Sequence, residues 1–274
     1  MTYKTLLVHV EAGGGSDGRV KLATQVAGLF DAAIIGLGAE GFYPILSSGY
    51  AAVDGALIEA VRERIAADLP VAEKRFRELT AGVAAGVEWI TGYDYPHTEL
   101  ALHARGADLI VATRPPRQTG AAYAASPADL LMRPGIPVLL APDSNTPLSA
   151  ETVVVAWKDT REARRAVSDA MPFLVRAKKV VVLAISGDSD PGSESAGVKA
   201  VAQRIKRQGA NVEAKVVPRG KGTVAEDIEQ EATRVGADLI VMGAYGHSRL
   251  REWALGGATE DLLAASSKFI LFSH

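Results

Sequence analysis

The chain contains no cysteine. Disulfides, thiol catalysis and thiolate zinc centres are thereby excluded, and the composition is compatible with a cytoplasmic protein. Its five histidines (His9, His97, His103, His247 and His274) show no metal-ligand spacing such as His-x-x-x-His. No apolar run reaches the length of a membrane span, and Met1-Thr2-Tyr3-Lys4 leads into a short strand rather than a signal sequence. The formal net charge is only −2, so no strong field favours nucleic acid or an anionic membrane. What remains is 274 residues that are 48% apolar and 23% charged, values that suit a soluble folded core.

One hexapeptide occurs twice: Gly106-Ala107-Asp108-Leu109-Ile110-Val111 and Gly236-Ala237-Asp238-Leu239-Ile240-Val241. Such spacing indicates one fold built twice, each copy about half the chain. Short β-branched runs alternate with helical periodicity throughout, the pattern of βαβ units around a parallel sheet. The first half predicts strands near Leu6–Val10, Ala33–Leu37, Val87–Thr91, Leu109–Ala112 and Val138–Leu140. The second predicts them at Thr152–Trp157, Val180–Ile185, Val212–Val217, Leu239–Met242 and Phe269–Phe272. The expected fold is α/β, two tandem Rossmann-like domains, each with a five-stranded doubly wound sheet. Their boundaries are placed at 1–143 and 150–274, joined by the linker Pro142–Ser149. The first domain carries an insert, 41–56, that is a candidate lid or subunit-contact patch, followed by a long amphipathic helix that Pro70 should kink. Pro172 similarly interrupts the stripe Ala163, Ala166, Val167, Ala170, Met171, Leu174.

The two copies of the hexapeptide lead into different loops. The second continues as Met242-Gly243-Ala244-Tyr245-Gly246 and reaches Gly256-Gly257 where the last helix should begin. Ligands of open parallel sheets bind beyond the carboxyl ends of the strands, near the point where strand order reverses. Glycines there let backbone N–H groups turn toward an anion, and a following helix N-terminus adds partial positive charge. His247, Ser248 and Arg249 offer further donors. The alternative is that these glycines only make tight turns.

The spacing Gly243-x2-Gly246-x9-Gly256, between a strand ending Leu-Ile-Val-Met-Gly and a short helix with a terminal strand, resembles the nucleotide loop of the universal stress protein family. The resemblance covers essentially the whole chain as a tandem pair, strongly in the second half and weakly in the first. It implies a cytoplasmic stress-response regulator of the ATP-binding type rather than a defined catalytic step. Carried over residue by residue, it implies phosphate contacts from Gly243, Gly246 and Gly256, with His247, Ser248, Gly257 and Thr259 nearby. Met242 would touch the adenine, and Ala156, Trp157, Lys158 and Ile185 would frame base and ribose. It also implies that the terminal strands, Pro137–Ala141 and Lys268–Ser273, pair to form an internal pseudo-dimer, with a homodimer as a further step.

Two positions depart from the ATP-binding pattern. Gly257 stands where a Ser or Thr usually follows the third glycine, with Thr259 the nearest hydroxyl. Lys158 stands where an Asp is usual, and an ammonium accepts no bond from a ribose hydroxyl. ATP, AMP or ADP (with Mg as a companion of the phosphates), another phosphorylated ligand, and no ligand at all therefore stay open. No residue stands out as a general base, so slow ATP hydrolysis is the most that catalysis would amount to. A scaffold acting through unknown protein partners is the alternative function.

The first half offers a competing motif. Gly13-Gly14-Gly15-Ser16-Asp17-Gly18 follows a strand, opens a helix and has Glu40 some distance on, as in a dinucleotide fingerprint for NAD or FAD. The second half has no glycine in the matching loop, Lys158-Asp159-Thr160-Arg161, so a flexible connection is the preferred reading. The counterpart of the glycine loop, Thr113-Arg114-Pro115-Pro116-Arg117-Gln118, loses N–H donors to its prolines and reads as a solvated surface loop. Asp94, His97 and Glu99 read as a surface loop and helix cap, and Gly187–Gly192 as a mobile loop rather than a calcium site.

Overall fold

The computed structural model describes residues 2–40, 55–114, 127–143, 146–187, 191–245 and 257–274. Most of the insert 41–56, the segment Pro115–Gln118, the acidic stretch Asp188–Asp190 and the loop residues Gly246, His247, Ser248, Arg249 and Gly256 lie outside the described residues. The chain divides into two compact units, Tyr3–Pro134 and one that contains Gly135–His274.

The N-terminal unit runs β1 (Thr5–Val10), α1 (Asp17–Phe30), β2 (Ala33–Ala39), α2 (Gly55–Leu79), β3 (Val87–Gly92), α3 (Pro96–His103), β4 (Leu109–Thr113) and α4 (Pro127–Met132). Its strands are parallel in the order β3-β2-β1-β4. β1, β2 and β4 are buried almost throughout, because helices cover both faces, and this explains their unbroken apolar runs. Gly36 and Gly38 in β2 have a specific task. An ideal Cβ at Gly36 would lie 2.8 Å from the Phe76 ring, and one at Gly38 would lie 2.5 Å from Trp89. The bare backbone lets Phe76 of α2 and Trp89 of β3 pack at 5.6 Å between ring centroids. Pro70 lies inside α2, where it removes one backbone donor.

The C-terminal unit runs β5 (Val138–Ala141), β6 (Thr152–Ala156), α5 (Arg161–Asp169), α6 (Met171–Arg176), β7 (Lys179–Ser186), α7 (Pro191–Lys206), β8 (Val212–Pro218), α8 (Val224–Val235), β9 (Leu239–Gly243), α9 (Ala258–Ala265) and β10 (Phe269–Ser273). The order β8-β7-β6-β9-β10 is parallel, and β5 lies antiparallel on β10 with Leu140 opposite Ile270 and Val138 opposite Phe272. The two terminal strands thus cover each other's edges. By its contacts, β5 groups with the C-terminal unit rather than with the half that precedes it in sequence. The single helix expected over Ala163–Leu174 is two helices. α5 ends at Asp169 with Ala170 as its C-cap, and α6 begins with Pro172 in its first turn, where a missing N–H costs nothing. α8 is closed at its start by a reciprocal Thr223–Glu226 capping box and at its end by Gly236 at φ 74°.

The repeated hexapeptide has a structural meaning in both units. The Asp108 carboxylate accepts the backbone N–H groups of Lys4 and Thr5 at 2.7 and 2.9 Å. The Asp238 carboxylate accepts those of Ser149 and Ala150, at 2.5 and 3.1 Å to Oδ2. Each aspartate holds the chain entering the first strand of its half against the amino end of the fourth. Ala150 is held there at φ 50°, a left-handed conformation that alanine resists.

Two outcomes follow for stability. Asp238→Ala orphans two donors and should lower stability by about 1–3 kcal/mol. Ala150→Gly relieves the backbone and should raise it by about 0.5–1 kcal/mol. Opposite shifts of the urea midpoint check the pair, and a shift of the same sign would contradict this account. Buried Glu231 is held by Arg234 foremost and by Lys215, which bring its carboxyl down to about 2 against the effect of burial. Its folded-state pKa lies below the unfolded one, so its contribution is complete at neutral pH. That contribution shrinks as pH falls below 4.5 and is gone below about 2. Acid unfolding of Glu231→Gln should lack that part of the pH dependence; a profile parallel to wild type would contradict the assignment.

Candidate functional site

In the C-terminal unit, strand order reverses between β6 and β9, so the crevice beyond their carboxyl ends is the place where this topology holds ligands. Register brings the sequence-predicted residues Ala156 and Met242 side by side there. Met242 is buried, Ala156 half-buried, and both flank the same strand boundary. Trp157 continues β6 through a 2.7 Å bond from its N–H to the Leu183 carbonyl, and its indole nitrogen approaches Gly197 of α7. Lys158 is exposed in the turn that follows, where its carbonyl accepts the Thr160 N–H at 2.7 Å. Ile185 lies one strand away near the end of β7, half-buried.

Thr160 caps α5 by accepting the Ala163 N–H at 3.3 Å, which opens the helix at the mouth of the crevice. In its first turn Glu162 is only 1% exposed. Burial opposes its charge, but hydrogen bonds from Arg161, its own backbone N–H and the Thr160 hydroxyl hold the carboxyl below the ordinary glutamate value. Its Oε2 atom is buried without a hydrogen-bond partner among the described residues. This acceptor was missed in sequence. The available signal was an acid two positions after a Thr cap, a pattern that marks helix starts wherever they occur.

Gly243 does more than turn the chain. An ideal Cβ there would lie 2.6 Å from the Ala163 nitrogen and 2.6 Å from the Glu162 carbonyl carbon. The absence of a side chain lets the N-terminal turn of α5 rest directly on the end of β9. Next, Ala244 is fully buried and donates to the Ser273 carbonyl at 2.8 Å. Tyr245 then takes φ 48°, strained for a bulky residue, and its hydroxyl donates to Glu260 in the first turn of α9 at 2.6 Å. The segment Gly243–Tyr245 is thereby bracketed by the N-terminal turns of two helices, α5 through Gly243 and α9 through Tyr245. Gly257 is the N-cap of α9 and supplies no side-chain cap, so the donors of that turn keep capacity for an outside acceptor. Thr259 sits half-buried in the same turn. Of the loop's glycines, the described ones are Gly243 and Gly257.

The competing residues of the N-terminal unit have other occupations. The triple-glycine run makes a tight turn, with the Asp17 N–H bonded to the Gly14 carbonyl at 3.2 Å and the Ser16 hydroxyl donating to the Glu11 carbonyl at 3.2 Å. The Glu11 carboxylate lies over Gly15, and Asp17 stands in the first turn of α1. Glu40 is pushed up by burial and by Asp68. Arg114, expected on a solvated loop, is instead buried at the end of β4. Glu99 caps the N–H groups of Tyr93 and Asp94 at 3.1 Å each, and His97 stacks on Tyr95, as befits a helix start.

These features define a parallel α/β domain whose strand order reverses between β6 and β9. Residues 150–272, most of the C-terminal half of the chain, match the model of the Universal stress protein family. No curated protein matches the sequence. Among solved structures, a universal stress protein from Archaeoglobus fulgidus DSM 4304 has the same fold over nearly the whole length (TM-score 0.77, 14% identity, 98% of this chain and 97% of that one). A putative universal stress protein from Pseudomonas aeruginosa UCBPP-PA14 is similar at TM-score 0.60 and 18% identity, covering 99% and 93%. A functionally unknown protein from Pseudomonas aeruginosa PAO1 is similar at TM-score 0.57 and 18% identity, covering 99% and 92%. No helix among the described residues is long and apolar enough to cross a membrane.

Because Gly243 is needed for helix packing, Gly243→Ala should destabilise the protein by about 1–3 kcal/mol whether or not ligand is present. Thermal unfolding of the ligand-free variant checks this, and an unchanged midpoint would confine the glycine's role to ligand contact.

Proposed function

We propose that the protein is a stress-linked, nucleotide-binding regulator whose C-terminal unit alone takes ATP or a related adenine nucleotide. One observation carries the reading: Gly243–Tyr245, at the strand-order reversal, is bracketed by the N-terminal turns of α5 and α9. The open N-terminal turn of α9, with the partial positive charge of both helix starts, suits a chain of phosphates. Lys158 adds a mobile cation at the mouth, and the buried Glu162 carboxylate supplies the acceptor for a sugar hydroxyl that Lys158 cannot. Among the described residues no group of three or more His, Asp or Glu side chains could hold a metal, so Mg would arrive with the phosphates. The dinucleotide reading of Gly13–Gly18 fares worse, because the turn is closed on itself: the Gly14 carbonyl takes the Asp17 N–H and the Glu11 carbonyl takes the Ser16 hydroxyl, so neither donor faces a pyrophosphate.

The test is calorimetric titration of the full chain with ATP and AMP, alongside Gly256→Val and Lys158→Ala. Saturable binding by wild type, lost in Gly256→Val and weakened about tenfold or less by Lys158→Ala, is expected for a loop site with one exposed cation. Absence of binding by wild type, with no nucleotide retained on purification by 260 nm absorbance or mass spectrometry, would favour the scaffold acting through protein partners. Unchanged binding in Gly256→Val would overturn the placement of the site.

A further inference from the structure

The N-terminal unit has its own strand-order reversal, between β1 and β4, and a side chain of this chain fills it. Arg19, the third residue of α1, is 9% exposed. Its Nε donates to the His9 carbonyl at 2.6 Å, its Nη2 to Glu11 Oε1 at 2.7 Å and its Nη1 to Thr113 Oγ1 at 3.2 Å. Nη2 also lies 3.3 Å from His9 Nδ1, while His9 Nε2 is 2.7 Å from the Ala39 carbonyl. A carbonyl accepts only, so Nε2 carries the ring proton and Nδ1 presents a lone pair to the guanidinium. Carbonyl, carboxylate, hydroxyl and imidazole together surround one planar cation with acceptors, and they tie the carboxyl ends of β1 and β4 together.

Comparison of the two halves shows a matched exchange. Thr113 occupies the position after its hexapeptide that Gly243 occupies after the other. Arg19 is third in the helix after β1, as Ala163 is third in the helix after β6. In the C-terminal unit, glycine and alanine let α5 lie on the strand end. In the N-terminal unit, threonine and arginine hold the corresponding junction by a side-chain bridge.

We propose that Arg19 is a built-in ligand: its guanidinium permanently occupies the crevice of the N-terminal unit, and the acceptors around it make that crevice a seat for a guanidinium group that is closed to phosphate. This goes beyond the nucleotide reading of the C-terminal unit and does not depend on it. Burial foremost, and then the charge of Arg19, bring the His9 imidazole down to about 4, so the histidine stays neutral beside the cation and reports its presence.

Chemical rescue tests the proposal on the full chain. Arg19→Ala should lower the thermal midpoint, and sub-denaturing guanidinium chloride should raise it again, relative to sodium chloride at equal ionic strength. The same salt should only lower the wild-type midpoint. In the NMR titration of the variant, His9 should move up from about 4 and fall back when guanidinium is added. Failure of guanidinium to raise the midpoint of folded Arg19→Ala would overturn the proposal. Should Arg19→Ala not fold, Arg19→Lys keeps stem and charge without the fork. Thr113→Ala should then cost less in the Arg19→Lys background than in wild type, and equal costs would overturn it.

Discussion

Each half depends on one aspartate at the amino edge of its sheet. Asp108 catches the backbone as it enters β1, and Asp238 catches it as it enters β6. A strand slipped by one residue would turn its apolar set to the wrong face, so anchoring the amino ends sets everything beyond them. With Leu6 opposite Leu109 and Val153 opposite Leu239, the carboxyl ends of the paired strands finish level with each other. The crevice at each strand-order reversal is therefore a consequence of hydrogen bonds made at the opposite edge of the sheet. The duplicated hexapeptide is an anchoring device first, and only indirectly a marker of function.

Beyond that shared anchor the halves part company at a single junction. In the C-terminal unit, Gly243 and Ala163 are small enough for the start of α5 to rest on the strand end. In the N-terminal unit, Thr113 and Arg19 bridge the same junction with side chains, and acceptors line it. One junction is thus closed by close packing and the other by a buried cation among acceptors. Divergence at two contacting positions is a physical route by which one fold, built twice, comes to close the same junction in two ways.

Much of the architecture was legible because its causes are local. Doubly buried strands must be apolar runs, whereas the continuous stripe across Pro172 hid the break between α5 and α6. That β5 and β10 pair was implied by the family resemblance, and the pairing covers two apolar edges. The duties of single residues were less legible. Gly243 reads as a turn or phosphate glycine, and only the 2.6 Å approach of α5 shows that packing alone requires it. Arg114 reads as a loop cation because prolines follow it, yet it is buried. Arg19 and Glu162 look like ordinary charges in the first turns of amphipathic helices; their burial is set by strands distant in sequence, which no local pattern encodes.

The central claim is that nucleotide goes to one unit and not to the other. Photolabelling of the intact protein with an azido derivative of ATP, followed by peptide mapping with unlabelled ATP as competitor, tests it most directly. The account predicts competable label confined to peptides of Gly135–His274, around the ends of β6 and β9. Competable label on peptides of Tyr3–Pro134 that contain His9, Arg19 or Thr113 would contradict it.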